Sequence, residues 1–280
     1  VSAPATRQTR PRRSWTLVTG CVLAGLIVAV GLLSLAWVPY APDDTSGGRL
    51  MPPGLPHLLG TDKLGRDLLT QLMIGARIAL ESGVGAVAIG AVLGVPLGLA
   101  AGFASRWLDD LVAALLDILI AFPTLLLAML VVAARSASLG SAVIAIGLAM
   151  TAVVARLTRV LVKRVLTQDY ITAARTSGTS WPRVITGHVL PNIWGTLAVN
   201  LALQFGLAVL AEASLSFLGL GAPPPNESWG RMLQEAQATV LTAPTGAIAP
   251  GVLLVVLVVG VNMIADGLRD TLDPTRRRSR

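Results

Sequence analysis

DYITAARTSGTSWPRVITGHVLPN, running from Asp169 to Asn192, is a polar and patterned interruption between two long apolar runs. "DYITAARTS" is made largely of good helix formers and sets Ala173 and Ala174 on adjacent faces of a short helix. Gly178 then supplies the left-handed residue that ends such a helix. Thr179 or Ser180 is positioned to cap a second helix, in which Pro182 is tolerated in the first turn. Pro191 marks the return to apolar sequence. The stretch therefore reads as helix, break, helix, with small residues on one side and basic residues on the other. That shape suits docking into another protein; a plain amphipathic surface helix is the alternative.

The flanks decide what kind of chain this is. Of 280 residues, 54% are hydrophobic and only 13% charged, with mean hydropathy +0.71. A soluble domain carries roughly a quarter charged residues. Halving that share while keeping 28 glycines points to helices in lipid, where glycine is commoner than in soluble helices. Six apolar runs have the length of about 20 residues that a span needs, near 15–38, 79–103, 110–134, 139–161, 192–218 and 246–267. The first follows "RQTRPRRS" and exceeds the 7–15 residues of a signal-peptide core, so it is expected to be an anchored helix.

Orientation follows from lysine and arginine. With the N-terminus in the cytoplasm, that side receives Arg7 to Arg13, Arg106, Arg156 to Arg183 and Arg269 to Arg280. The other side receives Arg49, Lys63, Arg66, Arg77, Arg135 and Arg231, so the positive-inside rule puts both termini in the cytoplasm. The expected order is a basic cytoplasmic segment 1–14, a first span 15–38, an extracytoplasmic segment 39–78, a five-span domain 79–268 with the polar loop at 168–191, and a basic cytoplasmic tail 269–280. Within 39–78, Thr61 as N-cap begins an expected amphipathic surface helix. "GLGAPPPNESWGRMLQEA" begins with rigid Pro223 to Pro225 and continues into a short surface helix; its Asn226–Ser228 sequon is a chance match.

Chemistry is thin. "GVGAVA", Gly83 to Ala88, fits a dinucleotide pattern but sits inside a span with no preceding strand. Neither Lys63 nor Lys163 follows a phosphate-cradling glycine loop, so no nucleotide site is expected in this chain. His57 and His188 fall on opposite sides of the membrane, and no metal or hydrolase motif appears. Cys21 stands alone, which excludes an internal disulfide. The net charge of +7 is spent on orientation, and no aromatic-rich basic surface for nucleic acid accompanies it.

Gly90, Gly94, Gly98 and Gly102 recur every fourth residue and line one helix face, which permits close helix approach. Packing within the chain and a moving subunit interface both fit. Pro96 in the same span is a candidate kink. Three acids lie in or near spans, where a carboxylate costs about 2.5–3.5 kcal/mol. Asp117 and Asp266, near the cytoplasmic side, are expected to pair with nearby arginines. Glu212 is a candidate for lining a translocation path or for a salt bridge to a partner subunit. Asn200 in the same span is a further candidate for the path or the interface.

"TAARTSGTSWPRVITGHVLP" resembles the EAA loop of importer permeases of the ATP-binding cassette superfamily: EAA, three residues, Gly, nine residues, Ile, one residue, Leu-Pro. Ala173, Ala174, Gly178, Leu190 and Pro191 match at that spacing, while Thr172 replaces the glutamate and His188 the isoleucine. "HVLPN", "HLLGTDKLGRDLLTQLMIGARIAL", "LDILIAFPTLLLAM", "ASLSFLGLGAPPPNESWGRML" and "IADGLRDTLDP" are similar, in the same order, to the dipeptide, oligopeptide and nickel branch, and to its second, C-type permease subunit.

The resemblance implies an all-α membrane protein of the type I (MetI-like) importer permease fold in a bacterial inner membrane. It implies a heterodimer with a second permease, two ATPase subunits holding ATP and magnesium, and an extracytoplasmic binding protein; this chain itself would bind no cofactor. The coupling residues would be Asp169, Tyr170, Thr172, Ala173, Ala174, Arg175, Gly178, Arg183, His188, Leu190 and Pro191. Losing the glutamate at Thr172 puts one polar contact to the ATPase in doubt. Expected cargo is a di- or oligopeptide, with nickel or a nickel chelate as the alternative. Different classes remain: a proton-coupled secondary transporter, for which no internal repeat is visible, and a membrane scaffold or sensor.

Overall fold

The computed structural model describes residues 15–224 and 226–272. The segment 1–14, residues 273–280 of the basic tail and Pro225 of the proline run lie outside them. Among the described residues every regular element is helical: α1 Trp15–Ala36, α2 Leu68–Phe103, α3 Arg106–Ala121, α4 Thr124–Arg135, α5 Leu139–Leu166, α6 Asp169–Thr176, α7 Trp181–Val184, a π turn Ile185–Val189, α8 Leu190–Phe217, α9 Trp229–Ala236 and α10 Thr245–Leu272. Five helical runs are long and apolar enough to cross a membrane, and six if α3 and α4 together make one bent span. The chain is a multi-pass membrane protein.

The glycine ladder sets the centre of the fold. Gly90, Gly94, Gly98 and Gly102 are all buried, and each faces α5: Gly90 meets Met150, Gly94 meets Thr151 and Val154, Gly98 meets Ala155 and Thr158, and Gly102 meets Val162. The ladder thus serves packing within the chain. A Cβ at Gly94 would lie 2.8 Å from both the Thr151 carbonyl oxygen and Val154 Cβ. Lipid tails are as apolar as leucine, so such backbone proximity, with its dispersion contacts, holds the helices together. α1 packs on α10 by the same device, with Gly20 set against Gly260 and Ile264.

Three sequence expectations change. Residues 61–67 are not the start of a surface helix. Thr61 forms an isolated bridge with Asp67, and Asp67 is the true N-cap, its side chain accepting from the Thr70 N–H at 2.8 Å. From Leu68 the helix runs unbroken through Pro96 to Phe103. Its first turns are buried on nearly all sides, because α9 and the 39–67 loop cover them. The expected span 110–134 is broken at Phe122–Pro123, where α3 and α4 bend by 86°; the residue before proline is steered away from helical geometry. Finally, the fifth span begins at Trp181 rather than Asn192, as an apolar helical run to Phe217.

α2 holds 36 residues, about 54 Å at 1.5 Å per residue, against a hydrocarbon core of about 30 Å. Its surplus length reaches two polar structures. At its first turns, Trp229 Nε1 of α9 donates to the Leu72 carbonyl oxygen at 3.0 Å. At its last turn, Phe103 meets Trp181 edge-on at 5.2 Å between ring centroids. The 39–67 loop with α9, and the α6–α7 elbow, therefore occupy opposite ends of one helix.

Replacing Gly98 by valine would drive Cβ into the Ala155 carbonyl and to 2.6 Å from Thr158 Cβ. The expected outcome is a loss of about 1–3 kcal/mol, read as a lower unfolding temperature of the detergent-solubilised protein. Gly25→Val, at a site with nothing within 4 Å, should leave that temperature nearly unchanged.

Candidate functional site

The elbow is built by local backbone rules. α6 opens at Asp169, whose carboxylate in the first turn complements the helix dipole. It closes in a Schellman turn: the Thr179 N–H donates to the Ala174 carbonyl at 3.1 Å and the Gly178 N–H to that of Arg175 at 3.0 Å. Gly178 sits at φ +84°, as such a turn requires. Ser180 occupies the N-cap of α7 and Pro182 its first turn, though the Ser180 side chain makes no capping bond.

Pro191, expected to mark the re-entry into the membrane, interrupts no helix. It lies inside the continuous helix, and the π turn before it explains how. Proline lacks an N–H and its ring crowds the carbonyl four residues earlier. The Leu190 N–H reaches back five residues to Ile185, so the widened turn absorbs the misfit.

Ile171 anchors α6, 2% exposed, among Val162, Val184, Val189, Ile193 and Leu197. The opposite face is free: Thr172, Ala173, Thr176 and Ser177 are exposed, and Ala174 is half-buried at the edge. Arg175 folds over Trp181, with its guanidinium carbon 4.3 Å from the ring centroid, and donates to the Thr179 carbonyl at 2.5 Å. Tyr170 and the half-buried His188 approach with centroids 6.2 Å apart. Arg183 projects from α7 and is exposed; Leu190 packs into the cluster beneath. The predicted loop residues therefore gather in one elbow with a small, uncovered outer face.

At the other end of α2 lies a centre that sequence reading missed. Arg66, 7% exposed, holds three carboxylates: Asp62 at 2.7 Å, Glu227 at 2.5 Å and Glu235 at 3.0 Å. Arg231 adds pairs to Glu227 and Glu235, each at 3.2 Å. Burial pushes the Glu227 carboxyl up, only partly offset by Arg66. Burial also pushes Asp62 upward, but the Arg66 N–H, the Gln71 amide and the Arg66 charge more than offset it and hold it below the usual carboxylate value. Nearby, His57 Nδ1 lies 3.0 Å from Asp67 Oδ1 under the Tyr40 ring. The i,i+4 spacings Asp62–Arg66 and Glu227–Arg231–Glu235 were visible signals of this cap.

The intramembrane polar candidates do not converge. Glu212 is 2% exposed and takes a hydrogen bond from Ser216 at 2.6 Å, with Ser228, the N-cap of α9, beside it; within the chain it clasps α8 to the segment that carries α9. Asp117 pairs with Arg156 at 3.2 Å, as expected. Asp266 is exposed and, contrary to expectation, forms no ion pair with a described arginine. Asn200 keeps a buried side-chain oxygen without a described hydrogen-bond partner. Asp109, overlooked in sequence, is the buried acid of α3: Arg159 approaches it at 2.5 Å and Lys163 also binds it. Among the described residues no cluster of His, Cys, Asp and Glu could hold a metal ion.

Arg66→Leu would leave buried Glu227 with Arg231 as its remaining cation. The expected cost is about 3 kcal/mol, seen as protease cleavage within 39–67 at concentrations that spare the parent. The contribution of Asp62 to the cap should also weaken in acid, whereas the raised Glu227 carboxyl acts in the opposite sense. Asp62, held low when folded, contributes stability above its ordinary value near 3.8 and loses it as pH falls through the lower folded value.

Comparison with known proteins bears on this arrangement. The family described as binding-protein-dependent transport system inner membrane component matches residues 94–278. A dipeptide transport system permease protein of Alkalihalophilus pseudofirmus is 39% identical over 259 residues, 90% of this chain and 85% of the relative. A putative peptide transport system permease protein of Brucella suis is 38% identical over 270 residues, 96% of this chain and 90% of the relative. A glutathione transport system permease protein of Pectobacterium atrosepticum is 38% identical over 261 residues, 90% and 86% respectively. The chain with the ladder-packed helices and the uncovered elbow belongs to the family of inner-membrane components of binding-protein-dependent transport systems, as a permease subunit of an ATP-binding cassette importer.

Proposed function

We propose that this chain is one half of a peptide-conducting pore, moved by ATPase subunits that seat on the outer face of α6. The observation that carries this is the elbow. Its anchored side is fixed by Ile171, and its uncovered side offers Ala173 flanked by Thr172 and Thr176, small enough for a protein groove to approach closely. Peptide cargo is supported by relatives whose names specify dipeptide, peptide and glutathione transport. None of those names specifies nickel, and that alternative has no observation in its favour here.

The geometry supports the following mechanism. ATP and magnesium bind the partner subunits, and this chain supplies no nucleotide cradle. Closure of those subunits displaces α6. The Schellman turn makes α6 and α7 one stiff piece, and Trp181, wedged between Arg175 and Phe103, passes the displacement to the end of α2. Because α2 and α5 touch backbone to backbone, they move together. The elbow lies on the arginine-rich, cytoplasmic side, with both termini; the Arg66 cap lies outside, where a binding protein delivers cargo. A second permease completes the pore.

Gly178→Val isolates the turn, since nothing lies within 4 Å of the added carbon and only the left-handed backbone is penalised, by about 1–2 kcal/mol. In proteoliposomes holding the whole importer, ATP-driven dipeptide uptake should fall severalfold with ATP turnover uncoupled from it, while Gly178→Asn, which tolerates that conformation, retains uptake. Ala173→Glu places bulk and charge where the chain itself has room. It should reduce co-purification of the ATPase subunits about tenfold without lowering the unfolding temperature of the subunit. Uptake driven by a proton gradient and indifferent to ATP would instead favour a secondary transporter.

A further inference from the structure

α8 carries polar side chains at every fourth position of an apolar run: Asn192, Thr196, Asn200 and Gln204. On a helix this spacing makes one slowly turning line, about 18 Å from the first to the last. Asn200 stands near the middle of the apolar run Trp181–Phe217. Asn192 is satisfied locally, its amide donating to the His188 carbonyl at 2.6 Å. The other three are not. Thr196 is exposed, Asn200 keeps a buried Oδ1 without a partner, and Gln204 is 7% exposed. None of these three side chains makes a hydrogen bond to a described residue.

Hydrocarbon cannot satisfy such groups, so the line meets something polar. A neighbouring transmembrane helix answers it poorly, because its backbone N–H and C=O groups are spent on its own turns. An extended peptide keeps those groups free. A carboxamide both donates and accepts, so it pairs with a peptide unit whatever side chains stand beside it. Leu203 and Leu207 are exposed next to the line and give an apolar flank for those side chains, the usual mix of a small-ligand surface. The uncovered surface continues onto α10. A Cβ at Gly206 would lie 3.8 Å from Asn262 Oδ1, and Asn262 and Asp266 are exposed without a described hydrogen bond or ion pair.

We propose that Asn200 and Gln204 are cargo contacts of the half-pore, hydrogen-bonding the backbone of the peptide as it crosses, with Thr196 continuing the line toward the elbow. The assignment rests on the peptide-pore reading and adds the residues that would hold the cargo. It makes the peptide bond, rather than any one side chain, the feature that α8 recognises.

The test uses the complete importer in proteoliposomes with radiolabelled dialanine as cargo. Asn200→Leu and Gln204→Leu should each lower the maximal uptake rate at least fivefold, with ATPase subunits still co-purifying and the unfolding temperature not lowered. Asn200→Gln keeps the carboxamide and should retain most of the uptake, a rescue that a packing role would not give. In a Cys21→Ser background, Asn200→Cys should react with a membrane-impermeant methanethiosulfonate at least tenfold faster than Leu26→Cys on the exposed face of α1, and saturating dialanine should slow that reaction. Uptake at the parent rate by Asn200→Leu would overturn the assignment, as would a thiol at position 200 that the reagent does not reach because a second permease covers it. In either case uptake of dialanine by the parent leaves the peptide reading standing. A parent importer that takes up no dialanine would instead sink that reading, and this assignment with it.

Discussion

The structure depends on how closely two backbones can lie in a membrane. α2 and α5 have no aqueous driving force to press them together, and every side chain larger than hydrogen at Gly90, Gly94, Gly98 and Gly102 would hold them apart. With the ladder in place, α2 becomes a rod longer than the bilayer is thick, fixed along its length to α5. Everything polar and specific about the molecule hangs from its two ends.

Those ends are made differently, as their surroundings demand. The Leu68 end is closed by charge: Arg66 gathers carboxylates from Asp62, from Glu227 just before α9 and from Glu235 within it, and Trp229 bonds the rod itself. A buried cation among acids tolerates little displacement, so this end is a fixed cap. The Phe103 end is closed by turns and rings. The Schellman turn, the π turn and the Arg175–Trp181–Phe103 stack tie α6 and α7 to the end of α2. A charge-locked cap at one end and an elbow of turns and rings at the other fit the proposed entry of mechanical work at α6.

Much of this was legible beforehand, because the informative residues act locally. Gly178 announced a left-handed turn, the four-residue glycine period announced a packed face, and the interrupted hydropathy announced the elbow. What escaped depended on partners distant in sequence. Thr61 looked like an N-cap, but Asp67 does that work, and the cover supplied by α9 and the 39–67 loop explains why the turns after it are buried rather than amphipathic. Pro191 read as a boundary because sequence rules penalise proline in a helix; the π turn that accommodates it has no comparable signature. Asp109 drew no notice in the sequence, because Arg159 and Lys163 reach it only when α5 packs beside α3. Glu212 was weighed as a path residue or as a salt-bridge partner of a second subunit; its contacts to Ser216 and to Ser228 depend on how the chain folds back.

The central claim is that α6 is the face on which mechanical work enters, and that it lies on the cytoplasmic side. Membrane-impermeant thiol labelling tests this directly, using Ala173→Cys with the exposed native Cys21 replaced by serine. In inside-out vesicles holding the complete importer, the thiol at position 173 should be labelled when ATPase subunits are stripped away and protected when they are bound. Labelling in right-side-out cells without permeabilisation, or labelling that ATPase subunits do not alter, would contradict the account.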